Sequence, residues 1–225
     1  MGDLQTFLIN PLLTSALVYW GLSGFWLLFD LFWSPRDRIP GGEIIDWSLY
    51  RETALHVLKL QSTTPIVLYA MIPVWKYRGI DTSWDGLVSL ETLFKLLLCP
   101  LLSDVVFYLS HRICHLKVFY KHVHKKHHEW VVPCALAAAY TTFYEYLLCN
   151  LPTFLVPPLI VNINWYGAQI WFVLATVSIV NDHSGYTFLK SSVHHTYHHK
   201  YQNYNYGSSH LDSLGQTSWS PKKRD

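Results

Sequence analysis

The stretch His111-Arg-Ile-Cys-His115-Leu-Lys-Val-Phe-Tyr-Lys-His-Val-His124-Lys-Lys-His127-His128 follows directly on an apolar run. It contains an HxxxH motif and an HxxHH motif, and a second HxxHH motif lies at residues 195–199. On a helix, residues at i, i+3 and i+4 share a face, so we expect each motif to direct all its imidazoles towards one point. Neutral imidazole binds iron, zinc and copper. The spacing predicts a metal site assembled from three histidine motifs.

Thirteen histidines are a surplus for 225 residues, and twelve of them lie at or after residue 111. A tetrahedral zinc site needs four ligands at most, so a larger set indicates two metal ions with four or five ligands each. We interpret His56, His122 and His210 as bystanders. The predicted ligands are His111, His115, His124, His127, His128, His183, His195, His198 and His199, with His194 as a possible tenth.

Carboxylates near the motifs are candidates for orienting the ligands. A metal-bound histidine usually donates its second ring N–H to a carboxylate or a carbonyl. We expect this role for Asp104, Glu145, Asp182 and Asp212. Asp104 lies seven residues before His111, which places both side chains on one face if the helix is continuous.

The composition indicates a membrane protein. The chain is 51% hydrophobic and 14% charged, whereas soluble domains carry about a quarter of their residues as charged ones. A helix that crosses a bilayer needs roughly 20 mostly apolar residues. We predict an all-α integral membrane protein with about four transmembrane helices in two hairpins and a histidine-rich helical cap that holds a dimetal centre. The apolar runs are residues 12–33, 53–75 and 87–109, and a proline-broken pair at 147–161 and 165–180.

The basic residues predict the orientation. If the motifs face the cytosol, residues 34–52, 110–134 and 181–225 hold 13 of the 17 Lys and Arg on that side. Positive charge is concentrated on cytosolic loops, so the histidine motifs and the C-terminus are expected there. A net charge of +2 is too small to indicate nucleic acid. The four cysteines form no CxxC pair and are expected to be buried free thiols.

Three segments are predicted: a transmembrane region at residues 1–97, a histidine-rich domain at 98–217, which the family resemblance given next implies is catalytic, and a basic tail at 218–225. Residues 34–42 are interpreted as a turn-rich linker after the first span. The tail contains Lys222 and Lys223, which form either a dilysine retrieval signal of the endoplasmic reticulum or a solvated basic end.

About half of the chain resembles the fatty acid hydroxylase superfamily, the membrane-bound diiron oxygenases that include sterol desaturases and sterol methyl oxidases. The Asp182-His-Ser-Gly-Tyr186 stretch and the doubled His194-His195 are most similar to the branch of sterol C-4 methyl oxidases and cholesterol 25-hydroxylase-like enzymes. The other matching stretches are residues 104–112, 121–130, 137–140, 194–199, 205–207 and 212–215.

The resemblance implies a helical protein of the endoplasmic reticulum membrane whose cytosolic cap holds two iron ions. Such an enzyme would use O2 to hydroxylate a C–H bond of a lipid, and the branch favours a sterol. Electrons would come from NAD(P)H through a reductase and a cytochrome b5. No HPGG-like haem stretch is present, so the donor is expected to be a separate protein.

Two other interpretations stay open. An acyl-lipid or carotenoid desaturase or hydroxylase would use the same histidine motifs. A catalytically silent membrane protein that binds metal would also carry them, although such a protein would usually have lost a histidine. A metal transporter is disfavoured because the motifs lie outside the predicted spans.

Overall fold

The structure is a computed structural model that describes residues 2–32, 37–42 and 45–220. In this part of the chain the regular elements are helices, and the one β-bridge is isolated, between Arg38 and Tyr186, so the all-α prediction is confirmed. The last residue of the first predicted span and the two tail lysines fall outside these ranges. The helices are α1 Asn10–Phe32, α2 Trp47–Gln61, α3 Thr64–Tyr77, α4 Trp84–Leu87, α5 Leu90–Cys114, α6 Lys117–Phe119, α7 Phe143–Glu145, α8 Leu151–Val161, α9 Trp165–Asp182, α10 Lys190–Tyr201 and α11 Ser209–Leu214.

Four helical segments of the described residues are long and apolar enough to cross a membrane: Gln5–Phe32, Trp47–Tyr77, Leu90–Cys114 and Phe143–Val161. They agree with the four predicted transmembrane helices, whereas the arrangement in two hairpins stays a prediction. The second segment has 31 residues, about 46 Å at 1.5 Å per residue, which exceeds the hydrocarbon core. It is interrupted at residues 62–63, where α2 ends and α3 begins with a proline in its first turn.

Helices α8 and α9 form the hairpin expected at residues 147–180. Asn162 ends α8 in the left-handed conformation, with φ of 49°. The side chain of Asn164 then caps α9, because its Oδ1 accepts the backbone N–H of Tyr166 at 2.9 Å. Helix α8 packs along α5, where Ser103 donates to the carbonyl of Thr153. Helix α9 packs against α1 and α5, so it places its C-terminal end beside the histidine motifs.

The buried side chains form two cores at opposite ends of the helices. One core surrounds Trp75 and Trp165, near the connection between α8 and α9. The other surrounds Val57, Tyr140 and Tyr186 and lies beside the histidine motifs. The four cysteines are free and buried, as predicted.

The segment after α1 is more than the turn-rich linker that we predicted. Arg38 is 6% exposed and forms a buried ion pair with Asp30, the acidic residue near the end of the first span. Its guanidinium also donates to the carbonyls of Ser184 and Pro133, both at 3.3 Å. A charge is tolerated inside a protein only when it is paired and hydrogen-bonded. Arg38 therefore fastens the end of α1 to the segment that follows His183.

Candidate metal centre

The nine predicted ligands come together in two adjacent groups. The five-histidine group consists of His111, His115, His124, His128 and His198, and the four-histidine group of His127, His183, His195 and His199. Within each group the potential ligand atoms lie within 4.8 Å of one another. Eight of the nine side chains are at most 8% exposed, and His115 is the most exposed. The rings of His128 and His199 join the two groups, with centroids 4.8 Å apart.

Our expectation that each HxxHH motif converges on one point is wrong. On α10, His195 and His199 belong to the four-histidine group, but His198 points into the five-histidine group. At 100° per residue, positions i and i+4 differ by about 40° around the helix, whereas i+3 and i+4 differ by about 100°. Each HxxHH motif therefore contributes to both groups and fixes their separation.

The second motif divides in the same way without a regular helix. His124 ends the π-helical turn Tyr120–His124, and the 3-10 turn His127–Glu129 follows it. His124 and His128 face the five-histidine group, and His127 faces the four-histidine group. π-Helical turns are rare and occur mostly at functional sites.

The Nε2 atoms of the imidazoles point at one another. In the five-histidine group the separations include 3.0 Å between His111 and His124 and 3.1 Å between His115 and His198. In the four-histidine group the Nε2 atom of His183 lies 2.9 Å from that of His195. With metal–nitrogen bonds of about 2.1 Å, neighbouring ligands of a tetrahedral or octahedral ion are about 3.0–3.4 Å apart.

The opposite ring nitrogens, the Nδ1 atoms, face backbone carbonyls in five of the nine histidines. A carbonyl oxygen only accepts, so each of these Nδ1 atoms must carry the proton, and the Nε2 lone pair is directed into its group. The pairs are His111 with Tyr206 at 2.7 Å, His198 with Tyr204 at 2.6 Å, His199 with Trp130 at 2.7 Å, His183 with Ile179 at 2.7 Å and His127 with Tyr140 at 3.3 Å.

This tautomer makes the groups suitable for cations. His127 and His183 both donate through Nδ1, so only lone pairs meet where their Nε2 atoms lie 3.3 Å apart. Two lone pairs at that distance repel each other unless a cation lies between them. Burial also lowers the pKa of His183 to about 4 and that of His128 to about 3, which keeps both rings neutral at pH 7. The residues present therefore fit two metal ions with histidine ligands.

Of the four predicted carboxylates, Glu145 contacts a ligand. Its Oε1 lies 2.8 Å from the Nδ1 of His124, and both side chains are at most 3% exposed. Neither the Nδ1 atom nor the second carboxylate oxygen makes an aligned hydrogen bond, so the contact is an electrostatic one. Glu145 lies where its carboxylate would offset the charge of a metal ion bound by His124.

The other three carboxylates contact groups outside the nine histidines. Asp182 hydrogen-bonds with Ser178 and Ser191. Asp104 accepts the backbone N–H of Ser208 at 3.0 Å, although α5 runs without interruption from Asp104 to His111 as expected.

Asp212 instead holds a loop that orients two ligands. It is fully buried and accepts the backbone N–H groups of Tyr206 and Gly207 at 2.8 and 3.0 Å. Residues 204–207, which we call the carbonyl loop, provide the carbonyls that face His198 and His111. The Nε2 of His194 donates to Asp212 at 3.0 Å, so this possible tenth ligand lies outside both groups.

The sequence alone could not show that the carbonyl loop orients two histidine ligands, because the atoms that do so are backbone carbonyls. Asn205 is the one visible signal. It is fully buried with φ of 58°, a conformation that asparagine adopts more readily than most residues. Its Nδ2 donates to the carbonyls of His194 and Trp219, both at 3.1 Å.

The three predicted bystander histidines lie outside both groups. The Nε2 of His56 lies 2.6 Å from the carbonyl oxygen of Thr141. His122 and His210 are exposed.

A largely apolar cavity of about 190 Å³ adjoins the centre. It lies between α1, α3, α8 and α9 and is lined in part by Ala139, Tyr146 and Ile179. The carbonyl of Ile179 accepts from His183, and Ala139 directly precedes Tyr140, whose carbonyl accepts from His127. The cavity is thus lined by one residue that supports the four-histidine group and by the residue that precedes a second support. It approaches the five-histidine group through Glu145, the neighbour of Tyr146.

Comparison with known proteins places the chain in a family. The model of the fatty acid hydroxylase family matches residues 96–217. The chain is 32% identical to human fatty acid hydroxylase domain-containing protein 2 over 217 residues, which are 89% of this chain and 63% of that protein. The chain thus spans under two thirds of the length of that relative.

Two plant proteins are also similar. Methylsterol monooxygenase 2-1 of Arabidopsis thaliana is 32% identical over 54% of this chain and 44% of its own length. A very-long-chain aldehyde decarbonylase of Oryza sativa is 33% identical over 60% of this chain and 54% of its own length. No solved structure matches. The match over more than half of the chain shows that it belongs to the fatty acid hydroxylase family.

Proposed function

We propose that this protein is a membrane-bound non-haem diiron oxygenase that hydroxylates a C–H bond of a lipid, with a sterol as the favoured substrate. The observation that carries the proposal is the convergence of nine imidazoles in two groups, with five of them fixed by backbone carbonyls so that their Nε2 lone pairs are directed inwards. The names of the relatives, a fatty acid hydroxylase domain-containing protein, a methylsterol monooxygenase and an aldehyde decarbonylase, support oxidative lipid chemistry.

The two histidine groups would hold two iron ions, which supply activation of O2 for attack on an unactivated C–H bond. The backbone carbonyls fix each ring in one tautomer and one orientation. Burial of the imidazoles excludes water from the centre. Glu145 would offset part of the charge of an ion bound by His124.

The substrate would enter from the bilayer into the cavity beside the four-histidine group. Its lining is apolar over most of its surface, which suits a lipid body. Asn150, Gln61 and Thr64 add polar groups that could orient a substrate hydroxyl. Ile179 belongs to both the lining and the supports of the centre, and this would bring substrate carbon close to the four-histidine group.

Electrons would come from NAD(P)H through a reductase and a separate cytochrome b5. The protein would lie in the endoplasmic reticulum membrane with its histidine motifs and C-terminus in the cytosol. The excess of Lys and Arg in the segments that carry the motifs supports this orientation.

The test is lipid profiling in cells that lack a sterol oxidase and that express the chain with a reductase and cytochrome b5. We expect an O2-dependent alcohol, or an acid formed by its further oxidation, that disappears in His128→Ala. An alkene would instead support the acyl-lipid or carotenoid desaturase alternative. The matched control is His122→Ala, which removes an exposed imidazole six residues away. No new lipid that depends on His128 would contradict the oxygenase and favour a silent metal-binding protein.

A further inference from the structure

The side chain of Tyr206 packs against three rings of the five-histidine group. Its ring centroid lies 5.0 Å from that of His115, 5.5 Å from that of His198 and 5.9 Å from that of His111. Tyr206 is buried, and its backbone carbonyl also orients His111. A movement of Tyr206 would therefore uncover these rings and remove the acceptor of one of them at the same time.

The carbonyl loop, which carries Tyr206, is held by residues 217–219, which we call the latch. The side chain of Asn205 accepts the backbone N–H of Trp219 at 2.7 Å and donates to the carbonyl of Trp219 at 3.1 Å. The backbone N–H of Asn205 donates to the carbonyl of Thr217 at 2.8 Å. Three hydrogen bonds of one fully buried loop residue thus end on the latch.

The latch is fixed to α10 by aromatic contacts. The ring centroid of Trp219 lies 4.3 Å from that of Tyr201 and 4.8 Å from that of Tyr197. Trp219 is half-buried and Tyr201 is exposed, so this contact lies at the surface of the protein. Loss of the Trp219 ring would therefore free the latch without removing a side chain from either core.

A second tie joins the latch to the helix that carries His111. The hydroxyl of Thr217 donates to Asp212 at 2.7 Å and lies 3.1 Å from the hydroxyl of Tyr108. Tyr108 lies on α5, three residues before His111, and accepts from Arg112 at 3.2 Å. The latch, the carboxylate that holds the carbonyl loop and α5 therefore meet at one hydroxyl.

Both segments begin close to a left-handed backbone position. Among the described residues, four other than glycine have positive φ, and Gln202 at 59°, Asn205 at 58° and Gln216 at 56° are three of them. A residue with a Cβ atom is disfavoured in this conformation. Gln202 lies two residues before the carbonyl loop, and Gln216 directly precedes the latch. Such positions persist only where surrounding contacts hold them, and they are concentrated at ligand clamps and switch regions.

The support from the loop and the latch is given to one metal group. The carbonyls that orient members of the four-histidine group belong to Tyr140, Ile179 and Trp130, which lie in other segments. The three rings beside Tyr206 all belong to the five-histidine group. Release of the latch would therefore affect the two groups unequally.

We propose that the carbonyl loop is a lid over the five-histidine group and that Trp219 is the positioning residue that holds the lid closed. A divalent metal ion would enter and leave this group when the latch opens. The proposal rests on the part of the proposed function that places an ion in the five-histidine group. It reconciles the burial of these ligands with the need for an ion to reach them, because one short segment uncovers His111, His115 and His198 together.

Metal release tests the proposal without turnover. The Fe(II)-loaded chain in detergent is mixed anaerobically with a colorimetric Fe(II) chelator, and release is followed over time. Trp219→Ala should release one of its two ions at least about tenfold faster than the wild type, because two aromatic contacts are lost, and the other ion at the wild-type rate. Trp219→Phe keeps a ring at this position and should restore slow release. Equal release from wild type and Trp219→Ala would overturn the proposal.

The matched control is Trp84→Ala. Trp84 is 64% exposed and stacks on Tyr166 with ring centroids 3.9 Å apart, near the connection between α8 and α9. This variant removes the same side chain from an aromatic contact remote from the histidines, so we expect wild-type release of both ions. Release as fast as that of Trp219→Ala would mean that a general loss of stability, and not the latch, frees the ion.

Chemical modification of the metal-free chain tests the lid independently of the proposed function, because it needs no bound ion. Diethyl pyrocarbonate modifies accessible neutral imidazoles, and peptide mass spectrometry reports each histidine. Trp219→Ala should raise the rate at His111 and His115 at least about tenfold, because modification follows the population of the open state. The rates at His183 and His195 should not change. An equal increase in both groups would overturn the lid.

Lipid profiling separates the two proposals. If Trp219→Ala loses one ion selectively but the wild type forms no lipid product, the lid stands and the proposed function fails. If the wild type forms product and Trp219→Ala keeps both ions at the wild-type rate, the lid fails and the proposed function stands.

Discussion

The two histidine groups differ in what surrounds them. The five-histidine group includes His115, the most exposed of the nine, and depends on the carbonyl loop for the orientation of His111 and His198. The four-histidine group is buried throughout, and its supports include the end of α9 and a turn that lines the cavity. The two groups therefore differ in their access to solvent and in the elements that orient their ligands.

The largest expected effect is loss of a ligand from either group. His195→Ala and His124→Ala should each reduce product formation to the background, because a dimetal centre fails when either ion is lost. Lipid product per mole of protein measures this. His210→Ala, which removes an exposed histidine, should keep wild-type turnover. Substantial turnover in one of the two ligand variants would mean that only one group is needed for the reaction.

The next largest effect separates the two groups. Asp212→Asn weakens the hold on the carbonyl loop and should lower metal affinity of the five-histidine group by about 10–100-fold. Chelator titration should then show one weak and one unchanged site. Asp182→Asn is the control, because that carboxylate contacts serines outside both groups. Equal weakening of both metal sites would contradict the claim that the carbonyl loop supports the five-histidine group alone.

Much of the site could be predicted because its chemistry lies in side chains at regular spacing. The nine histidines and the four apolar spans are of this kind, and α10 presents its motif on a helix as expected. The supports could not be predicted, because the carbonyls that orient His183 and His199 belong to the apolar residues Ile179 and Trp130. Arg38 was interpreted as part of a linker, since its burial depends on Asp30 and on two carbonyls distant in sequence.

A smaller effect tests the cavity as the lipid site. Ala16 lines the cavity, so Ala16→Phe should reduce its volume and raise the KM for the lipid by about tenfold, with metal content unchanged. The control is Leu17→Phe, because Leu17 is 73% exposed on the neighbouring, outward surface of α1. An unchanged KM in Ala16→Phe would place the substrate elsewhere.

The smallest effect is expected from Arg38, which supports the segment that follows His183 of the four-histidine group. Arg38→Lys keeps the charge but loses part of the guanidinium hydrogen bonding to Asp30 and Ser184. The free energy of unfolding should fall by about 1–3 kcal/mol. Because Ser184 follows His183, metal affinity should fall a few-fold, and only in the four-histidine group. Denaturant unfolding and chelator titration measure the two quantities, and weakening of the five-histidine group instead would contradict this assignment.

The central claim is that the two groups each hold one metal ion. The most direct measurement is metal content by mass spectrometry of the purified, iron-supplemented protein, beside His124→Ala and His195→Ala. We expect two metal ions per chain in the wild type and one in each variant, since each variant leaves the other group intact. One ion or none in the wild type, or two in either variant, would contradict it.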